Sequence, residues 1–486
     1  MFLKNGALLA GALILSTSAM AAPTRTVALS SLDLNLADQG WGKANPNLSV
    51  GGKPLTVGGK QFASGWGTHA RSILYVQLNG AKRFTAQVGA DDEEQGKGTV
   101  VFSLENEGKV LWTSGLCKGG EAPRPVDVDV SKVRYLTLRV TDGGDNADND
   151  HADWLDAQFQ TDAKSDPVAV DRLPSQKGQI LPGKIWNDTA GRRIQAHGGG
   201  ILKVGSTYYW YGEEKSQGYN NKVGVACYSS RDLINWKFEA IVLPKAGFPE
   251  DFRDSGVCER PKVIYNAHTK KYVMWSHLDA RGYAVSKPGV AISDSPIGPF
   301  TFLEDKSVRP VPTSTFRDMN LWVDDDGKAY VYYSGEDNWT MHISRLNADF
   351  TAPELPMTAE NEGKTWTRNF VRRMREAPAP FKWKGKYYII TSACTGWEPN
   401  PAGYAVADTP LGPWKEFDNP CVGEGAKTTF QSQSTYILPL GGDRFMYMGD
   451  RWKAKDLADS RYIWLPFTMK SDGTFTLEWT DGWLPK

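Results

Sequence analysis

Residues 207–212 read TYYWYG, 271–276 KYVMWS, 329–334 AYVYYS, 387–392 YYIITS and 444–449 RFMYMG. Runs this rich in aromatic and aliphatic residues, bounded by turn residues, are strands. Anchored on Tyr208, Tyr272, Tyr330, Tyr388 and Phe445, they recur at intervals of 64, 58, 58 and 57 residues. A second strand follows each copy: VGVACYSS, PGVAISDS, MHISRLNA, GYAVADTP and RYIWLPFT. A repeat of this length with several strands per copy fits a β-propeller blade. Five copies therefore predict an all-β, five-bladed propeller over residues 185–486. A sandwich with accidental spacing is the alternative, and four near-equal intervals weigh against it.

Upstream the pattern changes. Short alternating strands at Ile73 to Leu78, Arg83 to Val88, Val100 to Leu104 and Tyr135 to Val140 predict a separate β-sandwich over residues 23–162. Residues 163–184 (AKSDPVAVDRLPSQKGQILPGK) have few aromatics and several Pro, Gly and charged residues, and read as a linker. On that reading residues 163–486 fold alone. Residues 1–22 resemble an export signal: Lys4 starts it, Ala7 to Leu15 is apolar, and Ala19-Met20-Ala21 offers a small-residue cleavage site. A secreted or periplasmic protein is expected, without a membrane span, because no later stretch is apolar for long enough. With 56 basic and 56 acidic side chains there is no electrostatic footprint for nucleic acid. The five cysteines lack metal-type spacing, and only six histidines occur, without an HExxH pattern.

Counting back 12 or 13 positions from each anchor gives one polar residue per copy: Gln195, Glu259, Asp318, Glu376 and Gln433. In a propeller the first strand of each blade lines the central channel, so these groups should surround one opening. Buried carboxylates are costly unless paired or used. A clustered carboxyl has its pKa raised by neighbouring negative charge and can stay protonated as an acid, as glycosidic bond cleavage requires. Arg260, Arg317 and Arg375 adjoin the three acids, but neighbours on a strand point to opposite faces and are not automatic partners. His197 precedes Gly198-Gly199-Gly200. It reads equally as a ligand contact and as a buried histidine closing the ring.

The segments IQAHGGGILKVGSTYYWYGEEK, ERPKVIYN, RDMNLWVDDDGKAY, REAPA, CTGWEPNP, SQSTYILPL and MGDRW resemble glycoside hydrolase family 43, in particular its exo-β-1,3-galactanase branch. The resemblance implies an inverting, exo-acting enzyme with Glu376 as general acid and Asp318 tuning it. The usual family base, an Asp in the first blade, is replaced by Gln195-Ala196-His197, a substitution that branch shares. Gln433 matches the Gln it places near the water. Glu213, Glu259, Tyr283 and Trp397 match sugar contacts, with Gln195 and His197 beside them. Residues 24–162, with FASGWGTHARSILYVQLNG and DHADWLDAQF, resemble an NPCBM-type carbohydrate-binding module.

The expectation is a monomeric hydrolase acting on an oligo- or polysaccharide, releasing galactose from β-1,3-galactan and requiring no cofactor. Another family 43 activity, on galactofuranosides or α-L-arabinofuranosides, is the near alternative. A non-catalytic glycan-binding protein is the distant one. Structural calcium could sit among Asp142, Asp145, Asp148, Asp150 and Asp153, whose oxygens are hard ligands, although such runs also make ordinary turns.

Overall fold

The computed structural model describes residues 24–485 except 220 and 255. The expected export signal, residues 1–22, lies outside the described residues. The chain is almost entirely strand and loop. Two six-stranded sheets face each other in its N-terminal region. One runs in the order Arg124–Asp129, Arg83–Ala90, His151–Thr161, Gly65–His69 and Asn45–Pro46, with Arg25–Ala28 added beside His151–Thr161. The other is built around Thr99–Asn106, Tyr135–Thr141 and Ser72–Gln77. Every second side chain of these strands points inward, so Trp66, Phe84, Phe102, Leu138 and Trp154 form a dry core. Phe102 meets Trp154 edge to face at 5.2 Å.

The C-terminal region contains four four-stranded antiparallel meanders and one three-stranded one. Their first strands are His197–Val204, Val257–Asn266, Met319–Val323, Arg375–Trp383 and Gln433–Gly441. Each aromatic repeat read from the sequence is the second strand of its sheet. The five first strands pack against one another in a cycle, first on second through to fifth on first. Between successive sheets lie apolar clusters, such as Trp210, Trp236 and Trp464 between the first and the fifth. The segment before the first sheet seals that junction: Ala196 N donates to the Tyr462 hydroxyl at 2.8 Å, and Ile180 pairs with Trp483.

Residues 163–184 connect the two regions without hanging free. Val168–Val170 adds a strand beside Ser72–Gln77. Gln176 donates to the Tyr75 hydroxyl at 3.0 Å, and the buried Lys184 ammonium donates to the Ile73 carbonyl at 3.1 Å. Charges cross the junction as well. Buried Asp38 pairs with buried Arg451, and Asp481 is shared by Arg71 and Arg139. Burial disfavours the Asp38 carboxylate, but Arg451 and Lys184 outweigh it and hold its pKa below the ordinary value. Gly40 passes close to the facing domain: a Cβ there would stand 2.3 Å from Gln431 Nε2, and that side chain would have to move aside. None of the five cysteines is in a disulfide.

Removing one partner of a buried pair strands the other. Asp38→Ala should therefore destabilise the protein by about 3–5 kcal/mol, read as a lower urea midpoint. Asp38→Ala with Arg451→Met should recover some of the loss. An unchanged midpoint would mean that the pair does not hold the two regions together.

Candidate active site

The site begins as a backbone irregularity repeated around the ring. Glu259 sits opposite His277, Glu376 opposite Ser392, Gln433 opposite Asp450 and His197 opposite Glu213. Just beyond each the register slips: between His197 and Gly200, Glu259 and Lys262, Glu376 and Ala379, and Ser434 and Tyr436. In three of these bulges the next residue is left-handed, Gly198 at φ 58°, Arg260 at 51° and Ala377 at 53°. A bulge bends its strand and re-aims side chains. Here it turns Glu259, Glu376 and Gln433 into the opening. The ladder places His197, not Gln195, in register with the other site residues. Gln195 precedes the strand.

Glu213, Glu259, Asp318, Glu376, Gln433, Tyr283 and Trp397 all line one pocket of about 350 Å³. At its centre is Arg260, buried and bonded in every direction. Its Nε pairs with Asp318 Oδ2 at 2.8 Å, its Nη1 donates to the Ser434 carbonyl at 2.9 Å, and its Nη2 donates to Gln433 Oε1. Gln433 Oε1 also accepts from Trp452 Nε1 at 3.1 Å, while Nε2 donates to Glu376 Oε1 at 2.8 Å and Ser392 Oγ at 3.1 Å. Both faces of that amide are thus fixed by their partners. Asn338 Nδ2 donates to the other Glu376 oxygen at 3.2 Å. Asn338 Oδ1 is buried without a partner, so turning that amide would offer an acceptor to a proton on Glu376.

The acids are not alike. Burial, then the charge of Asp318, raise the Glu376 carboxyl to about 8. Burial also pushes Glu259 up, but the hydrogen bond and charge of His277, with Lys215 behind, carry it down to about 2. His277 lies between Asp279 at 3.0 Å and Glu259 at 3.2 Å. Burial disfavours its cation, yet the two carboxylates raise it to about 9. Glu213 is raised by burial, while Lys215 at 2.7 Å opposes the shift. Tyr283 donates to Glu259 at 2.8 Å and accepts from Tyr219 at 2.8 Å. The pocket therefore sets Glu376, which keeps its proton at neutral pH, against Glu259, which is ionised.

Gln195 and His197 stand outside the pocket lining. His197 is fully buried, bonded to Asp450 at 3.0 Å and stacked on Tyr462 at 4.8 Å. Gln195 donates to the Ala458 carbonyl at 2.9 Å. The glycines after His197 serve backbone packing: a Cβ on Gly199 would lie 1.9 Å from the Tyr211 carbonyl oxygen. Sequence reasoning missed Arg260 as the hub, and Lys215, His277, Asn338 and Trp452 as lining. His277 and Asp450 each lie five residues beyond their anchor, a signal the spacing contained.

Among the described residues, the metal-type cluster is Glu259, His277 and Asp318, with ligand atoms within 4.8 Å. Arg260 pairs with Asp318 of this cluster, and Lys215 adds positive charge beside Glu259. The five acids of the N-terminal loop do not converge in this way. Asp145 binds Thr99 Oγ1 at 2.8 Å, and Asp142 binds Gly144 N at 2.9 Å. Burial raises Asp150 to about 8. Asp153 is buried, and burial and Asp91 push it well above the ordinary value.

The family model for glycosyl hydrolases family 43 matches residues 196–436, and that for the NPCBM/NEW2 domain matches residues 25–160. A solved GH43 β-1,3-galactosidase with galactodeoxynojirimycin is 41% identical, at TM-score 0.57, over 63% of this chain and 100% of its own. The exo-β-1,3-galactanase of Phanerochaete chrysosporium, solved with β-1,3-galactotriose, is 37% identical at TM-score 0.57, over 63% of this chain and 68% of its own. Alpha-1,3-galactosidase B of Akkermansia muciniphila is 28% identical over 201 residues, 39% of this chain. The chain spans only 12% and 25% of the length of the first curated relatives it matches.

A carboxyl whose pKa is raised on folding takes up protons relative to the unfolded chain. Its favourable contribution is present at acid pH and lost as pH rises through the folded value. For Glu376 that window runs from about 4.5 to about 8. Glu376→Gln should flatten the fall in stability across it and raise the melting temperature at pH 7. A variant less stable at pH 7 than at pH 4, by the wild-type difference, would remove the strain assigned to Glu376.

Proposed function

The chain belongs to glycosyl hydrolases family 43, and on that premise we propose that it is an exo-acting, inverting hydrolase releasing galactose from the non-reducing ends of β-1,3-galactan. Its five sheets are then the blades of a five-bladed propeller, and its N-terminal sandwich is a carbohydrate-binding module. The export signal would place the activity outside the cytoplasm. The observation that carries the reading is Glu376, a buried carboxyl raised to about 8 by burial and by Asp318. Such a group arrives protonated and can give its proton to the leaving oxygen at neutral pH. The galactan substrate is supported by the β-1,3-linked specificity named for both structural neighbours.

In this reaction Glu376 donates its proton to the glycosidic oxygen as the bond to the anomeric carbon breaks. Water adds from the opposite face and gives its proton to solvent, from which Glu376 is protonated again, leaving the sugar inverted. Burial raises the acid's pKa most, and the charge of Asp318, partly offset by Arg260, adds to it. Ionised Glu259, with Tyr283 and His277, offers acceptors and donors to sugar hydroxyls. Gln433 holds Glu376 and lies beside the water. With its carbonyl given to Arg260 and Trp452, it acts by positioning rather than by taking a proton.

Glu376→Gln should lower kcat on β-1,3-galactan by about 10²–10⁴-fold and affect an aryl galactoside with a good leaving group far less. On galactan, kcat/KM of the wild type should fall as pH rises through about 8. Equal, small losses on both substrates would take the acid role from Glu376. No sugar release from galactan, galactofuranosides or arabinofuranosides would leave a binding protein.

Gln433→Ala should cut kcat with little change in KM, and shift the alkaline limb upward, because Glu376 loses a donor that favours its anion. With added azide this variant should form glycosyl azide. Azide product from Glu259→Ala alone, with Gln433→Ala near the wild-type rate, would make Glu259 the base.

A further inference from the structure

The catalytic pocket is open on the side of Trp397 and Trp452. There it continues into a cleft of about 940 Å³, with which it shares Gly396, Trp397, Gln433 and Trp452. One wall of this cleft belongs to the fourth and fifth sheets. The other belongs to the N-terminal sandwich, which contributes Trp41, His69, Glu94, Asn149 and His151. Trp41 is 38% exposed, with its ring stacked on His151 at 5.3 Å and tilted against His69 at 5.7 Å. On the facing wall Trp397 is 39% exposed and held edge-on by Trp452 at 5.6 Å and Tyr219 at 6.0 Å. Burial, then the charge of His151, lower His69 to about 4, so it is a neutral polar group at ordinary pH.

Flat rings fixed from behind and open in front, with amide, carboxylate and imidazole groups at their rim, suit the apolar faces and hydroxyls of sugars. An exo-acting pocket takes the terminal unit, and the rest of the chain must leave past the acid. Glu376 is bonded to Gln433, which lines both cavities. We infer that the cleft binds the leaving-side sugars of the β-1,3-linked chain, and that the two domains build this subsite jointly. The inference rests on the hydrolase reading above. It makes the N-terminal domain a wall of the enzyme's substrate site rather than a binder on a tether. The buried Asp38–Arg451 pair and the close passage of Gly40 over Gln431 hold the walls in place.

The test compares kcat/KM on β-1,3-galacto-oligosaccharides of increasing length, from disaccharide to pentasaccharide, for the full chain and for Trp41→Ala and Trp41→Phe. Wild type should gain with length. Trp41→Ala should lose roughly five- to tenfold on the pentasaccharide, as one aromatic contact implies, and less on the disaccharide. Trp41→Phe should restore most of the gain. An equal loss at every length, or a length gain that survives Trp41→Ala, would overturn the subsite. If the wild type cleaves none of these sugars, the hydrolase reading falls instead. Calorimetric titration of the pentasaccharide into wild type and Trp41→Ala then still decides the cleft, since equal affinities would remove it.

Discussion

The buried guanidinium of Arg260 is the contact on which the pocket depends. Four acids face a cavity of about 350 Å³, and left to themselves they would repel and protonate. Arg260 neutralises Asp318, fixes the carbonyl side of Gln433 and caps the Ser434 backbone. Its own backbone N–H binds Glu213 at 2.9 Å. Lys215 meets Glu213, and His277 meets Glu259. Glu376 is left with two amides and no direct cation. That difference in partners separates Glu376, which burial and Asp318 raise, from Glu259, which His277 and Lys215 carry down.

Arg260 can serve this way because of its backbone. A non-glycine residue at φ 51° is strained, of order 1–3 kcal/mol, and the same left-handed turn recurs at Gly198 and Ala377. The strain is tied to a purpose. A straight first strand would alternate its side chains between the two neighbouring sheets, whereas the bulges bring Glu259, Glu376 and Gln433 to one opening. Beneath the pocket Lys262 donates to the Gly198 carbonyl at 2.6 Å. Burial, then the charge of Arg260, lower it to about 7.

The junction between the domains obeys the same electrostatics with the opposite outcome. Asp38, Arg71, Arg139, Asp481 and Arg451 are paired rather than used. Such pairs add little net stability but penalise misplacement heavily. They hold the two domains together where Trp41 and Trp397 line one cleft.

The sequence by itself determined the repeats, because strand-forming aromatics at near-equal intervals are a local, periodic signal. It also determined four polar residues at or beside the start of a first strand that line the pocket, Glu259, Asp318, Glu376 and Gln433. It misplaced the first-sheet position by two residues, at Gln195 rather than His197, because the turn joining the first two strands there, Val204 to Thr207, is shorter than that of the second sheet, Asn266 to Lys271, and counting from an anchor cannot see turn length. The tertiary structure alone decided which cation answers which acid. Arg260 adjoins Glu259 in the chain but pairs with Asp318 from another sheet. It also decided that residues 163–184, polar enough to read as a linker, are held by Tyr75 and Ile73 of the sandwich. Both outcomes rest on groups far apart in sequence meeting where water is excluded, and composition and periodicity carry no record of such meetings.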